Sequence, residues 1–158
     1  MICTTLPDFM ASLPANRAIA GLDLGDKTIG VALSDLRRVV ASPVETIRRI
    51  KFTADAATLL ALLTARGAQG IILGLPLNMD GSSGPRVQAT QAFARNLERL
   101  TTLPIAFWDE RLSTVAAERA LLEADASRKR RKEVIDAVAA GYILQGALDR
   151  MHYLTRAE

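Results

Sequence analysis

The sequence predicts an α/β fold: a mixed five-stranded sheet, with a three-strand antiparallel meander plus parallel strands, flanked by helices. Three observations carry this. Closely spaced β-rich runs follow residue 16, the first two joined by the turn residues Gly25-Asp26-Lys27. The second half alternates short apolar runs with helical periodicity, the order that builds parallel strands joined by crossover helices. The apolar run at 70–73 has no polar face, as expected of a strand covered on both sides. With 158 residues, 49% of them hydrophobic and 23% charged, the chain fits one domain with a sizeable core.

Taken in order, residues 1–16 hold two prolines and several small polar residues, and read as a loosely structured extension. Strands follow at 17–24, 28–34 and 39–47, where Pro43 favours an edge position or a bulge. The segment DAATLLALLTAR (55–66) is helical, with Leu59, Leu60, Leu62 and Leu63 as its apolar stripe and Gly67 as its stop. After the strand at 70–73 comes the loop GLPLNMDGSSGPR (74–86), then a helix over 85–100 with proline in its first turn. PIAFWD (104–109) is a further strand, and helices are expected over 113–125 and 133–150. Residues 151–158 read as a C-terminal tail, which leaves 17–150 as the folded domain.

The one cysteine, Cys3, has no internal disulfide partner, and there is no Cys/His cluster of the zinc-binding kind. Neither a signal-peptide pattern nor an uncharged apolar run long enough to cross a bilayer is present, so a cytoplasmic protein with no membrane partner is expected. Charge is unevenly spread. Residues 128–132 read Arg-Lys-Arg-Arg-Lys, while the other 15 Lys and Arg face 17 acids. The basicity is therefore local, which points to a phosphate-rich partner or to a solvated helix junction.

Three carboxylates stand where carboxylates are costly. Asp23 interrupts the apolar run AIAGL inside GLDLGDKTIG (21–30). Glu110, beside Asp109, ends the strand PIAFWD, and Asp136 is the only charge in VIDAVAAGYIL (134–144). Each alone has an ordinary explanation: an Asx-turn for Asp23, a strand's exit to solvent for the pair, a favourable helix dipole for Asp136. Together they occupy strand ends and a helix start, where α/β proteins gather ligands. Converging carboxylates repel, and a hard divalent cation such as Mg²⁺ or Mn²⁺ removes the repulsion. One or two such ions suit phosphodiester hydrolysis. Strand alternation puts Asp109 and Glu110 on opposite faces. The longer reach of Glu110 favours it as the ligand, with Asp109 in reserve.

Four ordered motifs now carry a resemblance: GLDLGDKTIGVALSD (21–35), GLPLNMDGSSGPR (74–86), WDERLST (108–114) and RKEVIDAVAAGYILQ (131–145). In order and spacing they resemble the YqgF or RuvX-like family, associated with pre-16S rRNA nuclease and Holliday junction resolvase roles. The resemblance spans roughly residues 17–149 and implies an RNase H-like fold related to the RuvC resolvases. It also implies that Asp23, Glu110 and Asp136 form a catalytic Mg²⁺ or Mn²⁺ site. Where typical RNase H-type nucleases carry an acid, the strand at 71–73 runs into Gly-Leu-Pro.

Expected nucleic-acid contacts are Lys27, the loop residues Asn78, Ser82 and Ser83, then Arg86, Arg111, and the run Arg128, Lys129, Arg130, Arg131 and Lys132. For the loop, an ordinary surface role is the alternative; for Arg111, a structural salt bridge. His152, with no nucleophile near it in sequence, reads as surface. The expected substrate is structured RNA such as precursor rRNA, or branched DNA, handled by a monomer or homodimer. A non-cleaving nucleic-acid binder is the competing class. DLGDKTIG also resembles the phosphate loop of the actin and sugar-kinase superfamily, but those proteins enclose ATP between two domains and this chain has room for one.

Overall fold

The computed structural model describes residues 1–125 and 128–157, without the side chains of residues 116, 123, 125–134 and 157. Helix α1 (Leu6–Ala11) is followed by strands β1 (Ala20–Leu24), β2 (Thr28–Ser34) and β3 (Ala41–Arg48), then helix α2 (Phe52–Ala65). Strand β4 (Ile71–Leu75), helix α3 (Pro85–Glu98) and strand β5 (Ile105–Asp109) come next. A single 3₁₀ turn (Glu110–Leu112) leads into α4 (Val115–Asp125), and α5 (Arg128–Ala157) closes the chain.

Among the described residues the strands form one sheet in the order β3-β2-β1-β4-β5. The β1–β2 and β2–β3 pairs are antiparallel, while β1–β4 and β4–β5 are parallel. This is the meander-plus-parallel sheet that the sequence predicts. Pro43 lies on the edge strand β3 at a register shift opposite Val31 and Ala32, so its missing N–H costs no regular ladder bond.

Strand alternation divides the core in two. One face presents Leu22, Ile29, Val31, Ile71 and Leu73 to α2 and α3, which answer with Leu59, Leu63, Phe93 and Leu97. The other face presents Ala32, Ile72, Ala106 and Trp108 to α5, which answers with Ala140, Ile143, Leu144, Ala147 and Leu148. Asp23 shares this second face, two residues on from Gly21.

Small residues let α5 lie close on that face. A Cβ at Gly30 would fall 1.9 Å from the Asp136 carbonyl oxygen, and one at Gly21 would fall 2.6 Å from Leu144 Cβ. Both distances are far inside van der Waals contact, so only glycine fits while the helix keeps its position.

The ends of the chain differ from the sequence expectation. Residues 1–16 are not loose: Ile2 bridges Ile105 in parallel, Cys3 N–H donates to the Ile105 carbonyl at 2.7 Å, and Phe9 of α1 is fully buried. Pro7 sits in the first turn of α1, where a missing N–H is harmless, and Thr5 Oγ1 caps that helix by accepting from Asp8 N–H at 3.1 Å. At the other end α5 runs through to Ala157 instead of stopping at 150, with Met151 buried. No proline breaks that stretch, so nothing in it ends the helix. His152 is half-buried, not a free surface group, and its Nε2 lies 2.8 Å from the Arg38 carbonyl oxygen.

The glycine contact yields a stability test. Gly30→Ala must push α5 off the sheet and should cost about 3 kcal/mol or more. At Gly67, where φ is 71° and nothing lies within 4 Å of an added Cβ, alanine meets only backbone strain. That substitution should cost about 1–2 kcal/mol. Urea unfolding midpoints measure both, and equal losses would contradict the packing argument.

Candidate active site

Asp23 sits on the central strand β1, opposite Gly30 of β2, and is 4% exposed. Glu110 follows the last residue of the edge strand β5 and is 6% exposed. Trp108 and Glu110 project to the α5 face, while Phe107 packs on the opposite side of the sheet. Glu110 fits there because β4 carries Gly74, where a Cβ would stand 2.9 Å from Glu110 Oε2 and 2.4 Å from Ile143 Cδ1. Gly74, at this point of β4, therefore makes room for the acid at the end of the neighbouring strand.

Asp136 enters from α5, brought to the end of β1 by the tight contact over Gly30. Thr28 Oγ1, at the start of β2, donates a hydrogen bond to its Oδ2. Gly25 is close by, with its Cβ position 3.9 Å from the same oxygen. The turn between β1 and β2 is fixed from outside by Arg49, whose Nη1 donates to the Gly25 carbonyl at 2.6 Å.

A fourth side chain, Arg119 of α4, joins the acids. Its Nη2 lies 3.0 Å from Asp23 Oδ1 and its Nη1 lies 3.4 Å from Glu110 Oε1, so one guanidinium spans both carboxylates. Burial raises the pKa of Asp23; Arg119 opposes this, and the nearby charge of Asp136 adds to it. Burial raises Glu110 as well, again opposed by Arg119 and reinforced by Asp23. Arg86, in the first turn of α3, is near enough to pull both downward.

Asp109 faces away from this group and is engaged by Arg111. Arg111 Nη2 donates to Asp109 Oδ2 at 2.7 Å and its Nε donates to Oδ1 at 3.0 Å, which holds the Asp109 pKa down. The same guanidinium stands beside the 78–84 loop, 3.3 Å from the Cβ position of Gly81. Its charge also acts on Asp80 of that loop, adding to the hydrogen bonds from Ser82 that lower the Asp80 pKa. Within the loop, Asn78 Nδ2 donates to Ser82 Oγ at 2.9 Å, and Ser82 Oγ donates to Asp80 Oδ1 at 2.6 Å. Ser83 and Lys27 are exposed, and Lys27 lies in the β1–β2 turn. The side chains of Arg128, Lys129, Arg130, Arg131 and Lys132 lie outside the described residues; their backbone opens α5.

The donor chemistry fits a hard divalent cation: carboxylate oxygens, desolvated and mutually repelling. Among the described residues, however, no three His, Cys, Asp or Glu side chains stand ready around one point. The contacts give the reason. Arg119 fills the space shared by Asp23 and Glu110, and Asp136 is turned toward Thr28. Sequence reasoning missed both Arg119 and Thr28. Arg119 is signalled weakly, four residues beyond the buried Val115 and so on the inward face of α4.

The comparisons with known proteins agree with this architecture. The family model described as "RuvX: Holliday junction resolvase" matches residues 17–150. A Paracoccus denitrificans protein named as a candidate pre-16S rRNA nuclease is 69% identical over 158 residues, covering 100% of both chains. A Ruegeria pomeroyi protein of the same name is 69% identical over 154 residues, covering 98% of this chain and 100% of its own. Among solved structures, Thermus thermophilus RuvC in complex with a Holliday junction substrate superposes with a TM-score of 0.53 at 13% identity. The match covers 85% of this chain and 96% of that one. At that identity the likeness shows a shared fold.

The raised carboxylates give a pH test in the absence of divalent cations. A raised folded-state pKa stabilises the fold at low pH, and that contribution is lost as pH climbs from the ordinary values of 3.8 and 4.5 through the raised ones. The double variant Asp23→Asn/Glu110→Gln should therefore gain stability relative to the wild type as pH rises through that window, by about 1 kcal/mol for each unit of combined shift removed. Urea midpoints measured in EDTA from acid to neutral pH check this. A difference that stays flat would contradict the assignment of buried, proton-hungry carboxylates.

Proposed function

The chain belongs to the RuvX family, and on that footing we propose that it is a nuclease dependent on Mg²⁺ or Mn²⁺, acting in processing of the 5′ end of precursor 16S rRNA. The observation that carries the chemistry is the convergence of Asp23 and Glu110, both buried, on one point beside Asp136. Buried carboxylates this close are costly in a protein that only grips nucleic acid, because they repel phosphate unless a cation intervenes. The two highly similar relatives, covered almost end to end, support precursor rRNA as the substrate.

Asp23, Glu110 and Asp136 would hold the ion. When bound, it supplies Lewis acidity toward the scissile phosphate and lowers the pKa of water. The chain's own cations do the rest. Arg86, in the first turn of α3 and near enough to act on Asp23 and Glu110, and Lys27, in the β1–β2 turn, would orient the phosphodiester. The N-cap of α3 is Gly84, with no side chain capping it, which leaves the first N–H groups of that helix open to a phosphate. The loop residues Asn78, Ser82 and Ser83 would offer polar groups to the same phosphate backbone, in a loop held by its own Asn78–Ser82 and Ser82–Asp80 hydrogen bonds. The basic run at 128–132 extends the contact along the backbone without reading sequence.

The family description favours a second reading, resolution of four-way DNA junctions. A resolvase places two sites on opposite strands through a two-fold dimer. Substrate choice and oligomeric state therefore separate the readings.

Purified protein with Mn²⁺ is expected to cleave an RNA spanning the precursor 16S 5′ end and to leave a four-way junction largely intact. Asp23→Asn should abolish cleavage, a loss beyond the roughly 10–100-fold that removing a supporting partner of a metal site costs. Its circular dichroism should match the wild type. Undiminished cleavage by Asp23→Asn would overturn the site. Nucleic-acid binding equal in EDTA and Mn²⁺, with no cutting, would establish the binder class.

A further inference from the structure

Arg119 stands in the place that a divalent ion needs. Its guanidinium bridges Asp23 and Glu110 at 3.0 and 3.4 Å, and its own side chain is only 19% exposed. The two acids it joins are nearly sealed from water. Two neighbouring carboxylates in that setting need a counter-charge to stay ionised, and among the described residues Arg119 is the one cation in ion-pair contact with both. Arg86 contributes only at longer range, with no ion pair to either acid.

The guanidinium and a divalent ion compete for the same oxygens. Mg²⁺ draws carboxylate oxygens to about 2.0–2.1 Å and demands near-octahedral geometry. A guanidinium lodged between the same two oxygens occupies that volume and adds positive charge beside the ion. Arg119 is free to yield: its side chain is long, it starts from a helix surface, and it makes no ion pair beyond these two among the described residues.

Resting on the reading of Asp23 and Glu110 as cation ligands, we infer that Arg119 is the resident counter-ion of the metal-free site and is displaced when the divalent ion enters. Arg119 is then a positioning residue with two opposite effects. It holds the acids in register while no ion is present, and it weakens the ion's affinity by the free energy needed to evict it.

The test is calorimetric titration of Mn²⁺ alone, without nucleic acid, into the wild type, Arg119→Met and Arg119→Lys. Arg119→Met keeps bulk and removes charge; it should bind Mn²⁺ about tenfold more tightly. Its metal-free melting temperature should fall, and its stabilisation by Mn²⁺ should exceed that of the wild type. Arg119→Lys, which keeps the charge, should stay near wild-type affinity. Should Arg119→Met fail to fold, the wild-type protein still decides: the Arg119 Nη–H resonances, held by Asp23 and Glu110 without metal, should lose that protection on Mg²⁺ addition. Unchanged or weaker Mn²⁺ binding by Arg119→Met, or a guanidinium that stays sheltered with Mg²⁺ bound, would overturn the inference and leave the cation reading of the site standing. No binding of Mn²⁺ by any of the proteins would overturn both.

Discussion

Everything at the proposed active centre depends on how closely α5 lies on the sheet. The helix meets β2 over Gly30, where a single added methyl would collide with the Asp136 carbonyl, and meets β1 over Gly21 beside Leu144. The same contact buries Ile143, Leu144 and Ala147 against Ala32, Ile72 and Trp108, and it delivers the Asp136 carboxylate to Thr28 at the start of β2. Packing and chemistry are thus one event. A helix a few tenths of an ångström further out would loosen the core and withdraw the third acid together.

The same close packing sets the electrostatics. Desolvation is the largest influence on both Asp23 and Glu110, and it raises their affinity for protons. That cost becomes useful if a cation can be admitted, because charges interact more strongly where water is excluded. Arg119 meets the cost in the protein as it stands, and Arg86 helps from the first turn of α3. Asp109, one residue from Glu110, escapes this regime because strand alternation turns it to Arg111.

Much of this is legible in the sequence. Period and turn chemistry are local signals, so the meander, the apolar strand β4 and the helices α2 and α3 can be read directly. Alternation along PIAFWDE separates Asp109 from Glu110, and reach favours Glu110, the acid that the structure brings to Arg119 together with Asp23. What the sequence hides is set by distant partners. Residues 1–16 look loose by composition, yet Phe9 and Cys3 find their burial beneath α5 and beside Ile105. Arg119 looks like any helix-surface cation until α4 packs beside α5 and the 110–112 turn and brings its guanidinium to Asp23 and Glu110, and Thr28 reads as a strand threonine until α5 arrives. His152 misleads for the same reason, since its partner, the Arg38 carbonyl, is 114 residues away.

The central claim is that Asp23, Glu110 and Asp136 close on one divalent cation. Anomalous diffraction from crystals of the protein soaked in Mn²⁺ tests it most directly. The expected result is a manganese peak within coordination distance of Asp23 and Glu110, with Asp136 turned from Thr28 toward it and Arg119 moved out from between the first two. Manganese absent from this point, or bound elsewhere while Arg119 still bridges Asp23 and Glu110, would contradict it.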